Sequence, residues 1–273
     1  EASPLTSTVV TMPTGIAGLV LASARVVLFV IWVMFAAGAC FILSVCGADS
    51  AWMRVILFRG LCRIFGIDVI VHGAPVASRP LLIASNHISY LDIIAFGAIA
   101  ELEFVSKAEV ADWPIIGPLA KLGDTVFIER LRSRTLEARQ DMAERLGKNR
   151  TLVFFPESTS GDGNRLLPFK SALFTVTDAI EGVTVQPVSI AYTRLNGLPL
   201  GFGWRAFFAW YGDMTLFGHA WRFLQLGRTT VEIAFLPPVD QAGEMDRKTL
   251  ATATEDAARL GFGRLLSGQS PCQ

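Results

Sequence analysis

Residues 86–92 read Asn-His-Ile-Ser-Tyr-Leu-Asp, which puts an imidazole, His87, five positions before a carboxylate, Asp92, between two apolar runs. A neutral imidazole, titrating near pH ~6.5 when unperturbed, can take a proton from a hydroxyl at physiological pH, and a neighbouring carboxylate fixes its tautomer and steadies the imidazolium. Along a continuous helix, side chains five residues apart point roughly 140° apart. The pair therefore meets only if His87 lies in the turn before a helix and Asp92 in its first turn. The same residues also spell a capping box, with Ser89 as the cap and Asp92 reaching back to its backbone amide. Proton abstraction and helix capping both fit this segment.

The elements around the pair decide where it sits. Short β-branched or aromatic runs at residues 67–71, 81–85, 103–106, 125–129, 151–155, 184–192 and 230–236 read as strands. Helical patterns fit residues 91–100, 133–147, 169–180 and 246–262. This alternation predicts an α/β fold, a single domain with a mixed, largely parallel sheet flanked by helices. The chain shows no internal repeat, low-complexity stretch or dividing linker. Polar chemistry collects where strands end: residues 81–85 run into Asn86 and His87, 126–128 into Glu129 and Arg130, and 153–155 into Pro156 and Glu157. Ligands of open α/β sheets bind at the carboxyl edges of strands, so these three turns are expected to converge on one crevice.

Composition points to a membrane. Apolar residues make up 52% of the 273-residue chain and charged residues 18%, against about 45–50% and about 25% in ordinary soluble domains. Lys+Arg and Asp+Glu are both 24, so no overall charge excess points to nucleic acid or an acidic partner. Cys40, Cys46, Cys62 and Cys272 form neither a C-x-x-C pair nor a metal-binding spacing, which argues against a disulfide framework or a zinc site. Residues 26–46 carry no charge, and as a helix they would reach about 30 Å, the hydrocarbon thickness of a bilayer. This apolar stretch is too long for a signal-peptide core, so a retained membrane-embedded helix is expected. Arg54, Arg59 and Arg63 follow it and only Arg25 precedes it, which by the positive-inside rule puts the downstream domain in the cytoplasm. Residues 52–65 fit either an interfacial helix or an amphipathic helix packed on the domain, and with the preceding stretch they could form a hairpin dipping into one leaflet. The expected organisation is a membrane anchor and interfacial helix over residues 1–65 and a globular domain over 66–273.

With these turns in view, residues 65–240 resemble the lysophospholipid acyltransferases, the family that includes 1-acylglycerol-3-phosphate acyltransferase. Four blocks occur in the family's order: the N-H-x-x-x-x-D block at 86–92; the Gly-rich segment ending in F-I-x-R, here Gly123, Phe127, Ile128 and Arg130; the F-P-E-G-T block at Phe155, Pro156, Glu157 and Thr159; and Pro187 within VQPVSI. The resemblance implies that His87 is the general base, Asp92 its orienting partner, and the surroundings of Arg130 and Glu157 the site for the acceptor's polar head. Asn86, Gly123, Ser158 and Thr159 complete the implied substrate-binding set. Lys107 fits either a second phosphate-facing cation or a solvated lysine. The guanidinium of Arg130 suits bidentate phosphate recognition. A carboxylate beside phosphate is repulsive, so Glu157 is assigned to the acceptor's hydroxyls or to fixing Arg130. Ser158 stands where the family has Gly; if that position needs positive φ, serine is the costlier residue and the headgroup site is reshaped.

The activity so implied is O-acyl transfer from an acyl thioester, on acyl carrier protein or coenzyme A, to a lysolipid hydroxyl, without a further cofactor or metal. The leading acceptor is 1-acyl-sn-glycerol-3-phosphate, giving phosphatidic acid. Residues 160–174 and 212–228 also resemble the lyso-ornithine lipid acyltransferases of bacteria, whose acceptor carries an amino-acid headgroup, and this is the alternative. The implied location is a bacterial inner membrane. No G-x-S-x-G elbow is present and no cysteine lies near the motif turns, so direct transfer without an acyl-enzyme is expected. A lipid or thioester hydrolase and a non-catalytic membrane-anchored lipid-binding protein are the competing classes. His72 and His219 are read as surface or core histidines. Arg132, Arg134 and Arg139 fit a docking patch or a solvated helix face, and the aromatic run at residues 202–211 an interfacial anchor, an acyl-tunnel wall or plain core.

Overall fold

Strand β2 (Leu81–Ser85) is buried at all five positions, as a central strand covered on both faces must be. It pairs in parallel with β5 (Thr151–Phe154) on one side and β6 (Thr184–Leu195) on the other. The computed structural model describes residues 15–47, 51–112, 117, 126–128, 135–148, 150–180, 182–239 and 245–271. Within them, β1 (Ile67–His72), β3 (Glu103–Lys107), β4 (Val126–Ile128), β7 (Leu198–Pro199) and β8 (Thr229–Phe235) complete a sheet of order β1-β8-β6-β2-β5-β3-β4, with β7 paired to β6. All neighbours run parallel except β6 with β8 and with β7. The mixed, largely parallel α/β sheet expected from the sequence is therefore present. β7 was not anticipated; its hairpin turns through Asn196 and Gly197, both at positive φ, which is the Asn-Gly signal for a tight turn.

Helix α3 (Leu91–Gly97) follows β2 directly, α4 (Thr135–Gly147) precedes β5, and α7 (Arg247–Ser267) packs on β6. Asp246 caps α7 by accepting from the amides of Lys248 and Thr249. The helix expected at residues 169–180 is instead a 3-10 helix, Ser171–Ala179. Two short helices, α5 (Phe202–Phe208) and α6 (Leu216–Leu224), fill the connection from β7 to β8. Phe96, Phe104, Phe154, Phe174, Phe208 and Phe223 are the bulkiest fully buried side chains, each contributing about 1.5–3 kcal/mol by leaving water.

Helix α1 (Ile16–Val45) is 30 residues long and apolar enough to cross a membrane. It begins ten residues before the uncharged stretch and so includes Arg25. Helix α2 (Ala51–Phe65) runs back along it, with Trp32 Nε1 donating to Leu57 O at 3.0 Å and Phe29 against Phe65. Two glycines set these approaches: a Cβ at Gly60 would collide with the Trp32 ring, and one at Gly97 of α3 with Phe58 of α2. Leu57, Phe58, Leu61 and Cys62 are buried, while Trp52 and Ile56 stay exposed. α2 therefore packs one face on the domain and leaves Trp52 and Ile56 on the other. Arg25 is buried too, donating to Leu224 O at 2.9 Å and Leu226 O at 2.7 Å. The N-terminal segment is thus docked on the domain that follows it rather than tethered to it.

Candidate active site

Parallel register aligns Ala84 of β2 with Phe154 of β5, so the chain leaves both strands at the same sheet edge. His87 emerges from the first and Glu157 from the second. Asn86, expected to bind substrate, is held by β6: Nδ2 donates to Ile190 O at 3.0 Å and Oδ1 accepts from Ile190 N at 2.8 Å. The amide side chain pins the end of β2 to β6.

His87 lies in the turn before α3 and Asp92 in that helix's first turn, as the spacing required. Asp92 Oδ2 accepts from His87 Nδ1 at 2.9 Å. The same oxygen accepts from the amides of Ile88 at 2.7 Å and Ser89 at 3.0 Å. The carboxylate that holds the ring is itself held by two amides of the turn before α3, and the Ser89 contact is the one the capping-box reading calls for. Because a carboxylate can only accept, the neutral ring carries its proton on Nδ1 and leaves Nε2 as the basic nitrogen. Asp92 is fully buried, whereas 18% of the His87 side chain remains exposed. The ring stacks on Phe155, centroids 4.1 Å apart at 22°.

Sequence reasoning missed Tyr192 of β6, whose hydroxyl donates to Asp92 Oδ1 at 2.8 Å. Its signal was a tyrosine ending the buried run of β6, since a buried phenol needs a partner. Burial and the adjacent Asp92 charge push its ionisation well above the ordinary value, so it remains a donor. Both carboxylate oxygens of Asp92 are thus engaged.

The loop after β5 is strapped to the same turn, with Gly161 N donating to His87 O at 2.8 Å and Trp210 N to Ile88 O at 3.0 Å. Ser160 Oγ donates to Trp210 O, tying the two straps together. Ser158 adopts φ 58°, the left-handed conformation for which glycine is best suited, at a cost of about 1–2 kcal/mol for a residue with a Cβ. The condition attached to this position in the sequence is met. Glu157 Oε1 accepts from Leu167 N at 3.2 Å, and Oε2 is buried with no hydrogen-bond partner among the described residues. Burial pushes this carboxyl up to about 8, against the opposing pull of the Leu167 and His87 amides. Thr159 is exposed on the loop.

The remaining expected site residues are less fully placed. Lys107 ends β3. Gly123 and Arg130 lie outside the described residues, as do Arg132 and Arg134. β4, which leads towards Arg130, ends on the same sheet edge but three strands from β2, a displacement of about 14 Å. His72 pairs with Glu232 at 2.7 Å on the β1–β8 side of the sheet. His219 is buried on α6, its Nδ1 3.2 Å from Tyr90 Oη, and burial lowers its titration to about 4. The aromatic run 202–211 divides, with Phe202 and Trp204 exposed and Phe208 in the core. Among the described residues no group of three or more His, Cys, Asp or Glu side chains could hold a metal ion.

Comparison with known proteins bears on this site. Residues 68–191 match the Acyltransferase family model. The chain is 40% identical over 230 residues to a lyso-ornithine lipid O-acyltransferase of Brucella abortus, covering 81% of this chain and 86% of that protein. It is 31% identical over 218 residues to a 1-acyl-sn-glycerol-3-phosphate acyltransferase of Neisseria gonorrhoeae, covering 78% and 82%. The crystal structure of the 1-acyl-sn-glycerophosphate acyltransferase PlsC from Thermotoga maritima shares the fold, with a TM-score of 0.67 at 21% identity over 91% of this chain and 95% of that one.

Proposed function

This chain belongs to the lysolipid acyltransferase family, and from that premise we propose that His87 is its general base, Asp92 the residue that orients it, and lyso-ornithine lipid its acceptor. The observation that carries the catalytic assignment is the 2.9 Å contact from His87 Nδ1 to Asp92 Oδ2, which leaves Nε2 to receive a proton. As the acceptor hydroxyl oxygen attacks the thioester carbonyl, Nε2 takes its proton. The tetrahedral intermediate collapses with cleavage of the C–S bond, and the imidazolium returns the proton to the leaving thiolate. The products are an ester and a free thiol, and no enzyme nucleophile is used. The donor in this reading is an acyl thioester of acyl carrier protein or coenzyme A, with no further cofactor.

The acceptor assignment is supported by the higher identity to the lyso-ornithine lipid relative. Glu157 bears on it as well. An ornithine ammonium beside the unpaired Oε2 would draw the carboxyl into its charged form, forming a charge-assisted pair. A phosphate would instead meet the protonated acid, which can donate to it, so lysophosphatidic acid, the leading acceptor in the sequence reading, becomes the second one here.

Membrane association follows from α1 and the lipid substrates of the relatives. Within it, the reading places the apolar outer face of α1 in the inner membrane of a bacterium and the catalytic domain on the cytoplasmic side, where acyl thioesters are made. The test offers purified protein both acceptors in parallel, each with acyl carrier protein and coenzyme A thioesters, and identifies products by mass spectrometry. Acylated ornithine lipid as the dominant product is expected. Phosphatidic acid as the dominant product selects the second reading, and free fatty acid without acceptor selects a hydrolase.

A further inference from the structure

Helix α6 has two faces with different work. His219 and Phe223, four residues apart, are buried, whereas Phe217 and Trp221, also four apart, are 59% and 41% exposed. A two-residue step turns a helix by roughly 200°, so the two pairs lie on opposite sides. The buried side faces the site: His219 meets Tyr90 Oη, and Phe223 packs edge-on against Phe208, which stacks on Tyr192, the donor to Asp92. The exposed side consists of bulky aromatics with Arg222 next to Trp221.

A second observation says what covers that ridge. The carboxyl end of α6 is fastened to α1 by Arg25, which donates to Leu224 O, Leu226 O and, at 3.4 Å, Gly227 O. A cation at a helix C-terminus is favoured by the free carbonyls and the helix dipole. A charge inside an otherwise uncharged apolar helix needs such partners. On the side away from these contacts α1 exposes Val20, Val27, Val30, Ile31 and Met34. α6 is therefore held against the element that enters the membrane, with aromatic side chains of the type that favour the headgroup level.

We infer that the Phe217–Trp221 ridge of α6 is a second membrane-contact surface, inserted at the boundary between headgroups and acyl chains of the leaflet that receives α1. Arg222 lies against anionic headgroups there, and the buried side of the same helix sets the height of the His87 turn above that leaflet. A lysolipid hydroxyl, which sits at that boundary, then reaches the base without its acyl chain leaving the bilayer. The inference rests on membrane association and not on the identity of the acceptor.

Full-length protein in phosphatidylcholine–phosphatidylglycerol vesicles tests it through tryptophan emission. Trp221→Phe removes one emitter from the ridge, and Phe217→Trp adds one, so either difference spectrum isolates the ridge even if the other variant folds poorly. The expected result is that lipids brominated near the headgroup end of the acyl chain quench about half or more of the difference emission, matching a depth of about 5–10 Å for an interfacial helix, while iodide in the water does not. Difference emission quenched by iodide and untouched by brominated lipid would overturn the inference. Because no turnover is measured, this outcome is distinct from failure of the acyltransfer assay.

Discussion

Tyr192 donates to Asp92 Oδ1 at 2.8 Å while Asp92 Oδ2 accepts from His87 Nδ1 at 2.9 Å, so a buried phenol, a buried carboxylate and a partly exposed imidazole form one chain of hydrogen bonds. Tyr192→Phe removes the only side-chain donor to Oδ1 among the described residues. An unsatisfied buried acceptor costs about 1–3 kcal/mol, which here falls on the orientation of Asp92 and not on lipid binding. Steady-state kinetics should show kcat lowered about tenfold, since 1.4 kcal/mol corresponds to a factor of ten, with KM little changed. A change in KM alone would place Tyr192 in acceptor binding.

The double duty of Asp92 separates two substitutions. Asp92→Asn keeps an oxygen for the Ile88 and Ser89 amides but no longer fixes the imidazole tautomer. Its turnover should fall by about 10²–10⁴-fold with circular dichroism and melting close to the parent. Asp92→Ala also leaves the Ile88 and Ser89 amides without this acceptor, and should lose a further ~1–3 kcal/mol of stability. Equal melting of the two variants would show that these two amide contacts are dispensable.

Glu157 gives a pH signature. Burial pushes its carboxyl up to about 8 in the folded protein against an ordinary 4.5, so the folded state binds more protons between these values. The stability contributed by the protonated form is complete below 4.5 and lost as pH rises towards about 8. Urea unfolding of the detergent-solubilised parent should therefore show stability falling across this window, and Glu157→Gln should flatten the fall. With substrates, Glu157→Gln should raise KM for an ornithine acceptor about tenfold, the size expected for loss of one charge-assisted contact, and affect a phosphate acceptor less. A uniform effect on both would remove Glu157 from headgroup selection.

Arg25→Met removes the donors to Leu224, Leu226 and Gly227 but keeps an apolar stem in α1. Unpaired carbonyls at about 1–3 kcal/mol each should lower the melting midpoint by several degrees. Unchanged melting in detergent would mean that solvent satisfies those carbonyls and that α1 is not fastened there.

Much of this was legible in the residues because short-range physics governed it. Strands at 81–85 and 151–155 announced themselves as apolar runs ending in polar turns, and the five-residue step from His87 to Asp92 admitted one geometry. What the sequence left open was decided by long-range contacts. Asn86 is adjacent to His87 and shares its motif, yet its amide is consumed by Ile190, 104 residues away. Tyr192 acts on Asp92 across 100 residues, and Arg25 on α6 across about twice that distance. α5 and α6, at seven and nine residues, are too short to show a helical period over several turns. Arg130, the cation the motifs favour, falls outside the described residues.

The most direct test of the account is turnover by His87→Ala, measured with purified, folded protein, lysolipid acceptor and acyl thioester. Loss of the base should lower kcat by at least about 10²-fold while circular dichroism stays that of the parent, because the ring is partly exposed and Asp92 keeps its backbone and Tyr192 donors. Near-parental turnover by a folded His87→Ala protein would contradict the assignment of His87 as the base.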